Sequence, residues 1–292
     1  MTERLPILKT YKLYLGGAFP RTESGRTLLV EDAQGQARAH LCRASRKDFR
    51  NAVVAARKAQ PGWAGRSAYN RGQILYRMAE MLEGKAKEFI DALANSASGD
   101  PTRARREVDA SVDRLVAFAG WADKYQQILG CQNPVEGPYH NFSLPEATGV
   151  LALVAPNEQP LLGLISLLAP ALCAGNTVVA LGSESQPLAT AIFGEVCATS
   201  DVPAGVVNLL TGQRDELLEQ FASHRDVDGI SAAGCSPDER RILELGAAEN
   251  LKRVQVLALE HDQDWYDAAQ RESPDTIEAF VEIKTLWHPS AT

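Results

Sequence analysis

The sequence has no long hydrophobic run and no excess of basic residues. Every apolar stretch is shorter than the roughly 18 uninterrupted residues that a membrane-spanning helix needs. Residues 1–10 contain no long apolar segment of the kind found in secretory signals. Acidic residues outnumber basic ones, 37 against 30, so the net charge is −7. Because nucleic-acid binding depends on clustered lysine and arginine, we expect a cytoplasmic protein with neither a nucleic-acid nor a membrane partner.

Cysteine and histidine are too scattered to indicate a disulfide framework or a metal site. The cysteines are odd in number and lie at Cys42, Cys131, Cys173, Cys197 and Cys235. This spacing predicts reduced thiols. The five histidines show no paired metal-ligand spacing, so no metal is expected. The 292 residues, 45% of them hydrophobic and 23% charged, are ordinary for a globular protein of one large or two moderate domains.

The first half of the chain predicts a hairpin followed by helices. Residues 11–32 alternate apolar and polar positions around a Gly-Gly pair, which indicates a β-hairpin. A helix is predicted over 45–63, with Ser45 and Asp48 as a capping box and Pro61-Gly62 at its end. Apolar residues at helical spacing predict two more helices, over 71–99 and 105–130. Their methionines and aromatic residues are interpreted as core.

From residue 149 onward, short apolar runs alternate with helical patterns. Strands are predicted at 149–155, 176–181, 205–210, 229–233 and 252–259. Helices are predicted between them at 161–173, 187–199, 214–223 and 237–247. This alternation predicts an α/β fold with a doubly wound parallel sheet and helices on both faces. Such sheets bind ligands beyond the carboxyl ends of their strands, where "APNEQP" (155–160) and "AGCSPDE" (233–239) lie.

Two segments outside the βα series are expected at the surface. Residues 275–289 alternate as a strand, with Ile277, Ala279, Val281 and Ile283 facing one way. A polar linker over 260–274 precedes this strand. Residues 131–148 predict a loose, protruding arm.

Several stretches resemble the aldehyde dehydrogenase superfamily. They are "YLGGAFPRTESGRT", "AVVAARKAQPGWAGRS", "FAGWADK", "GVLALVAPNEQPLL", "PALCAGNTVVAL" and "PAGVVNLLTG". The resemblance runs from residue 11 to about 256, and the chain is also similar to the truncated second module of the sixteenth aldehyde dehydrogenase family. It implies a Rossmann-like NAD(P) domain. The implied organisation is a hairpin and helical part at 1–130, an oligomerisation arm at 131–148, a Rossmann-like core at 149–259, a linker replacing the catalytic domain at 260–274 and a C-terminal oligomerisation strand at 275–292.

The resemblance also implies that the catalytic positions are degenerate. The family oxidises aldehydes with a cysteine nucleophile, a glutamate base and an asparagine that holds the oxyanion. Here Asn157 takes the position of the family's tryptophan, Glu158 that of its asparagine and Leu257 that of its glutamate, while Glu260 is out of register. No cysteine matches the nucleophile. Two alternatives remain open: Glu158 as a general base, and Cys235 as a reactive thiol at a helix N-terminus.

The cofactor positions are likewise expected to be vestigial. Leu181 replaces the lysine that grips the ribose in the family, although Glu184 matches its acidic partner. Asp238 and Glu239 bring negative charge to the helix end where a pyrophosphate would lie. The remaining candidate cofactor-binding residues are Glu184, Gly212, Gly234 and Ser236. We therefore expect no cofactor, with NAD or NADP bound weakly at most.

These expectations favour a pseudoenzyme. The first hypothesis is a non-catalytic structural or regulatory subunit that associates with a complete, full-length NAD(P)-dependent aldehyde dehydrogenase. Association with itself would use the 275–289 strand and the 131–148 arm. The alternatives are an NAD(P)-binding oxidoreductase with residual activity, an esterase-like activity through Cys235, or a self-associating nucleotide sensor.

Overall fold

The N-terminal part forms a small mixed sheet. The computed structural model describes residues 7–96, 99–258 and 261–290. Its first three strands are β1 (Lys9–Tyr11), β2 (Thr27–Glu31) and β3 (Ala37–Cys42). The sheet order is β1-β3-β2, with β1 parallel and β2 antiparallel to β3.

The hairpin predicted over 11–32 is observed only in part, because its Gly-Gly turn closes a short hairpin and the longer hairpin forms between β2 and β3. The Gly16-Gly17 pair does make a tight turn, with φ of 59° and 78°, and Leu15 and Ala18 exchange two backbone hydrogen bonds of 3.0 Å. The chain before this turn pairs elsewhere, since Tyr14 bridges to Leu209 in the main sheet. The local hairpin is therefore limited to residues 13–20, where the Leu13 N–H donates to the Pro20 carbonyl at 3.2 Å.

Helix α1 (Arg46–Ala64) begins as predicted and ends later than predicted. Ser45 and Asp48 form the expected capping box. Pro61 lies inside the helix and does not end it, so that boundary was wrong. The turn after Pro61 is held because Trp63 is buried and its Nε1 donates to the Leu172 carbonyl at 3.1 Å.

The helix predicted over 71–99 is two helices. These two helices are α2 (Ala68–Gly84) and α3 (Ala86–Ala94). The next helices along the chain are α4 (Pro101–Trp121) and α5 (Tyr125–Leu129). The break falls at Lys85, whose ammonium contacts Glu88 and Glu195 at 2.7 Å each. The predicted apolar positions are in the core, with Leu75, Met78 and Phe89 fully buried.

The five-stranded sheet has the predicted parallel topology, which confirms the α/β fold class. Its elements are β6 (Val150–Val154), α6 (Pro160–Cys173), β7 (Thr177–Leu181), α7 (Pro187–Ala198), β8 (Val207–Leu210), α8 (Arg214–Ser223), β9 (Gly229–Ala233), α9 (Pro237–Ala248) and β10 (Arg253–Leu257). All neighbours are parallel in the order β10-β9-β6-β7-β8. Apolar clusters line both faces, one containing α6 and α7 and the other α1 and α8.

The arm and the tail form a third sheet. Residues 131–148 are not loose, since they contain β4 (Cys131–Asn133) and β5 (Tyr139–Ala147). The linker contains a 3₁₀ helix (Asp262–Tyr266) and α10 (Ala268–Arg271). The strand predicted from residue 275 begins only at β11 (Val281–Pro289), because α11 (Asp275–Glu278) precedes it and buries Ile277 in the core. The sheet order is β11-β5-β4.

A membrane-spanning helix and a metal site each have specific structural requirements. Across residues 7–96, 99–258 and 261–290, no helix combines the length and the apolar character that crossing a bilayer requires. The same ranges contain no group of three or more histidine, cysteine, aspartate or glutamate side chains placed to hold a metal ion.

Candidate functional site

Asn157 ties together the loops that follow β6 and β7. Its side-chain carbonyl oxygen accepts hydrogen bonds from the backbone N–H of Glu184 at 2.9 Å and of Ser185 at 3.3 Å. The Ser183 hydroxyl donates to the same oxygen at 3.2 Å. The carbonyl end of this amide therefore fixes the relative position of two strand ends.

Glu158, in the loop after β6, lies beside Gly234, the residue that follows β9. The ends of these two neighbouring strands therefore meet here. Gly234 has φ of +61°, and a Cβ at this position would come within 3.2 Å of Glu158 Oε2 and 3.1 Å of Pro156 Cβ. The left-handed backbone and the close approach both require glycine here. The Glu158 residue is exposed, and its backbone carbonyl accepts from Arg103 at 3.1 Å. A carboxylate thus stands at the crevice between two strand ends.

Arg214 crosses the same crevice from the first turn of α8. Its guanidinium is buried and donates to the carbonyls of Ala155 at 2.5 Å and Gly234 at 2.8 Å. It also contacts a carboxylate oxygen of Glu239 at 3.3 Å. Sequence reasoning placed Arg214 only at the start of a helix. Its role depends on the contact between β6 and β9, which are distant in sequence. A local sequence pattern cannot predict this contact.

The N-terminus of α9 is closed by its own side chains. The Ser236 hydroxyl accepts from the Glu239 backbone N–H at 3.2 Å, and the Glu239 carboxylate accepts from the Ser236 backbone N–H at 2.7 Å. Asp238 lies exposed in the same first turn. The N–H groups of Ser236 and Glu239 are therefore already occupied, and two carboxylates lie in the same turn.

Glu184 lies near this group of charges in a half-buried position. Burial raises the pKa of its carboxyl above the ordinary value, and Asp215 and Glu239 act in the same direction against Arg214. Leu181, which precedes it at the end of β7, is fully buried. The crevice thus combines one buried guanidinium with several carboxylates.

Cys173, Cys197 and Cys235 are poorly placed for nucleophilic chemistry. Burial raises the pKa of the Cys235 thiol to about 11, with Arg214 opposing the shift. Burial has the largest effect on this pKa, and the raised value does not favour the reactive-thiol alternative. Cys173 and Cys197 are fully buried. Burial raises the pKa of Cys173 to about 12 and also raises that of Cys197.

Two predicted site residues lie away from the crevice. Gly212 follows β8 at one edge of the sheet, where a Cβ would approach Leu217 to 3.1 Å. Leu257 ends β10 at the opposite edge and packs, partly buried, against the core. Asn157, Glu158, Glu184, Gly234 and Ser236 lie around the central crevice. Glu260 lies outside the described residues.

Residues that sequence reasoning missed cover the other side of the 155–160 loop. The buried Glu107 carboxylate accepts from the backbone N–H of Leu161 at 2.8 Å and of Leu162 at 3.1 Å, so it occupies the N-terminus of α6. The linker covers the same region, because the Tyr266 hydroxyl lies 2.9 Å from the Gln159 amide. Two signals in the sequence could have located these residues. One is a charged residue on the apolar face of α4, and the other is a pair of adjacent aromatic residues in the polar linker.

Known proteins resemble this chain in sequence. The sequence profile of the aldehyde dehydrogenase family matches residues 20–259. A mitochondrial benzaldehyde dehydrogenase of Antirrhinum majus is 34% identical over 248 residues, 83% of this chain and 46% of that protein. Retinal dehydrogenase 2 of Gallus gallus is 34% identical over 253 residues, 85% of this chain and 48% of that protein. This chain belongs to the aldehyde dehydrogenase family.

Solved structures confirm the fold. The NAD+ complex of an aldehyde dehydrogenase from Bacillus cereus has a TM-score of 0.80 and 26% identity, covering 85% of this chain and 50% of that one. PnpE in complex with nicotinamide adenine dinucleotide has a TM-score of 0.79 and 31% identity, covering 84% of this chain and 50% of that one. This aldehyde dehydrogenase family member therefore spans about half the length of the relatives that it matches.

The crevice of this family member contains several carboxylates and two helix N–H groups that are already bonded. The Ser236 and Glu239 N–H groups at the start of α9 are bonded within their own capping box. The buried Arg214 guanidinium is directed at strand carbonyls. Carboxylates of Glu158 and Glu184 adjoin the same space. An incoming phosphate would face negative charge with few free donors.

Proposed function

We propose that this chain is a non-catalytic, structural or regulatory member of the aldehyde dehydrogenase family that associates with a complete NAD(P)-dependent aldehyde dehydrogenase. The observation that carries the proposal is the placement of Glu158 beside Gly234 at the strand ends. The family's oxyanion donor is expected at the Glu158 position. An ionised carboxylate there has no hydrogen to donate and repels a developing oxyanion.

The thiol chemistry supports the same proposal. Family members need a cysteine that ionises near neutral pH. Cys235 is the cysteine nearest the crevice, and its pKa of about 11 leaves it protonated at neutral pH. The fully buried Cys173 and Cys197 are inaccessible to an aldehyde. Chemistry on an aldehyde would therefore belong to the associated enzyme.

Weak dinucleotide binding is the second part of the proposal. The loss of the ribose lysine at Leu181 removes a charge-assisted hydrogen bond, which contributes about 1.5–3 kcal/mol. Each carboxylate at the start of α9 repels a phosphate by roughly 0.3–1 kcal/mol. These effects together lower affinity by about two orders of magnitude or more.

The three-stranded sheet is the proposed contact with the complete enzyme. Its outer strand β11 presents an edge that can be extended by a strand of another subunit. The two proteins would then share a sheet, with the chemistry supplied by the partner. Similarity to the second module of the sixteenth family, and a cytoplasmic location, stay predictions.

The experiment combines an activity assay with association measurements. The purified chain is incubated with propanal or benzaldehyde and NAD or NADP, and we expect no reduction of the dinucleotide. Co-expression with a full-length aldehyde dehydrogenase, followed by size exclusion with light scattering, should give a complex of both chains. Reduction of NAD that a thiol reagent blocks would show a residual enzyme and overturn the proposal.

A nucleotide sensor is the second candidate. It is favoured by the Bacillus cereus relative that was solved with NAD+. Calorimetric titration separates the two, because a sensor would release saturable heat with NAD or NADP without turning over aldehyde. A non-catalytic subunit should give no saturable heat at dinucleotide concentrations that saturate complete enzymes.

A further inference from the structure

Strand β11 uses alternate residues to pair with β5. At one end the Thr148 N–H donates to the Phe280 carbonyl at 3.3 Å, and at the other the Ser290 N–H donates to the Pro138 carbonyl at 2.8 Å. Backbone groups alternate between the two sides of an antiparallel strand. The even-numbered residues of β11 therefore bond to β5, and the odd-numbered residues direct their N–H and C=O groups away from it.

The odd-numbered residues form the outer edge of the sheet. The Val281 carbonyl faces away from β5, as this alternation requires, because it accepts a hydrogen bond of 2.7 Å from Nη1 of Arg253 in β10. Beyond Val281 the outward groups belong to Ile283, Thr285 and Trp287. No strand covers this edge within the part of the chain that the structure describes. Such an edge is a template for pairing with another strand.

Large apolar side chains are exposed on the same strand. Ile283 is 52% and Trp287 is 60% exposed, and both lie on one face of β11. Trp287 packs edge-to-face against Tyr139, with ring centroids 5.8 Å apart, and Tyr139 is itself 46% exposed. An edge that carries a row of exposed apolar side chains is typical of an interface.

We propose that β11 pairs antiparallel with β11 of a second copy of this chain, about a twofold axis at Thr285. Thr285 is the central residue of the nine-residue strand, so this register pairs the two strands along their whole length. Ile283 then lies opposite Trp287 of the second copy, twice, and Thr285 lies opposite its equivalent. Aromatic–β-branched and Thr–Thr pairs both stabilise antiparallel strands.

The even-numbered side chains are also complementary in this register. Glu282 lies opposite His288 of the second copy, so a carboxylate that accepts meets an imidazole that donates. Lys284 lies opposite Leu286, where its alkyl stem contacts an apolar neighbour. No two like charges face each other.

The ends of the strand fit the same register. Val281 lies opposite Pro289 of the second copy, and proline has no N–H to donate. The Val281 carbonyl needs no such donor, because Arg253 already bonds it. The chain therefore satisfies in advance the one acceptor that the pairing would leave without a donor.

Neighbouring registers are less favourable. An axis at Lys284 places two lysines opposite each other, and an axis at Leu286 places Lys284 opposite His288. An axis at Ile283 shortens the pairing and requires the Val281 carbonyl to exchange Arg253 for a strand donor. The result expected for the Thr285 axis is one six-stranded sheet made from two three-stranded ones.

The first test measures dimerisation of the purified chain by analytical ultracentrifugation. We expect a species of twice the 31.6 kDa chain mass. T285K and T285E should each raise the dimer dissociation constant by about tenfold or more, since like charges then meet at the axis. An equimolar mixture of the two variants should restore dimers. S143A is the matched control, because it removes the 2.8 Å contact between the Ser143 and Thr285 hydroxyls without adding charge.

The second test fixes the register by cross-linking. In a C131S background, which removes the exposed cysteine of the arm, T285C should form an intermolecular disulfide on oxidation. Opposed residues in a hydrogen-bonded antiparallel pair have Cα atoms about 5.5 Å apart, within disulfide range. I283C should not cross-link, since it faces Trp287. A monomer at all concentrations, or a dimer that T285K and T285E leave intact, would overturn the proposal.

This inference is separate from the proposed association with a complete enzyme, although both use the edge of β11. The homodimer is measured with the chain alone, and the mixed complex is measured with both chains. A monomeric chain that still binds the enzyme would contradict only the homodimer. A homodimer that ignores the enzyme would contradict only the proposed function.

Discussion

The Nη2 atom of Arg114 donates a hydrogen bond of 2.9 Å to the backbone carbonyl of Trp265. The same guanidinium, 2% exposed, contacts the Ser166 hydroxyl at 2.5 Å and the Glu272 carboxylate at 3.3 Å. One buried side chain of α4 thus binds α6 and both ends of the linker. The segment that we expected to be a polar connection is part of the core.

Trp265→Ala should therefore destabilise the whole chain. Trp265 is 2% exposed and lies 3.5 Å from where a Cβ on Gly163 would be, so its removal leaves a cavity against α6. We expect the free energy of unfolding to fall by ~3–5 kcal/mol, as for other large buried aromatics. Urea denaturation followed by circular dichroism measures the change.

Tyr69→Ala provides the control for this variant. Tyr69 is 68% exposed on α2, and its removal should change the free energy of unfolding by less than ~0.5 kcal/mol. Equal effects of the two substitutions would show that the linker does not contribute to the core.

Glu107→Ala should weaken the N-terminus of α6. The substitution leaves the backbone N–H groups of Leu161 and Leu162 buried without their acceptor. We expect a loss of about 3 kcal/mol in the free energy of unfolding, and Glu107→Gln, which keeps one acceptor oxygen, should lose roughly half as much. Glu83→Ala, at an exposed position of α2, should change it little. If the alanine and glutamine variants are equally stable, the carboxylate is not the group that holds the helix.

Stability should fall in acid partly through Glu195. Burial opposes ionisation of this carboxyl, but hydrogen bonds from Lys85 at 2.7 Å and Lys9 at 2.9 Å outweigh burial and hold its pKa below 4.5. A lowered pKa in the folded state stabilises the protein above the ordinary pKa, and this stabilisation is lost as pH falls through the folded-state value. Glu195→Gln should therefore show a shallower loss of stability below pH 4.5 than the parent chain.

Chemical denaturation at several pH values between 3 and 7 measures this difference. Glu249→Gln, at an exposed position near the end of α9, is the control and should follow the parent profile. Parallel profiles for the parent and Glu195→Gln would contradict the assignment.

Cys235 should react slowly with iodoacetamide. With a pKa of about 11, about one thiol in a thousand is ionised at pH 8. The rate of alkylation at Cys235, followed by mass spectrometry of peptides, should rise about tenfold for each pH unit up to that pKa. Rapid labelling at pH 7 that reaches a plateau by pH 8 would show a lowered pKa and revive the reactive-thiol alternative.

The βα half of the fold could be predicted from sequence because its signals are local. The helix predicted over 161–173 is observed as Pro160–Cys173, and the strand predicted over 229–233 is observed with the same bounds. Each element is a short apolar run with its own capping or turn residues. The pattern that predicts each element lies within that element, although β9 pairs with the distant β6, so periodicity alone sufficed to locate both.

Elements whose conformation depends on distant contacts could not be predicted this way. Residues 275–278 alternate like a strand, yet they are helical because Ile277 packs into the core beneath α6. Asn157 and Glu158 were located from the loop sequence. Arg214 was missed as a site residue, because its function as a donor arises only where β6 and β9 meet.

Arg253 stands at the junction between the end of the nucleotide-type sheet and the start of the tail strand, where it binds both the Val281 carbonyl and the Glu282 carboxylate at 2.7 Å. The start of β10 and the start of β11 are therefore neighbours in space, and one guanidinium links the parallel sheet to the three-stranded sheet.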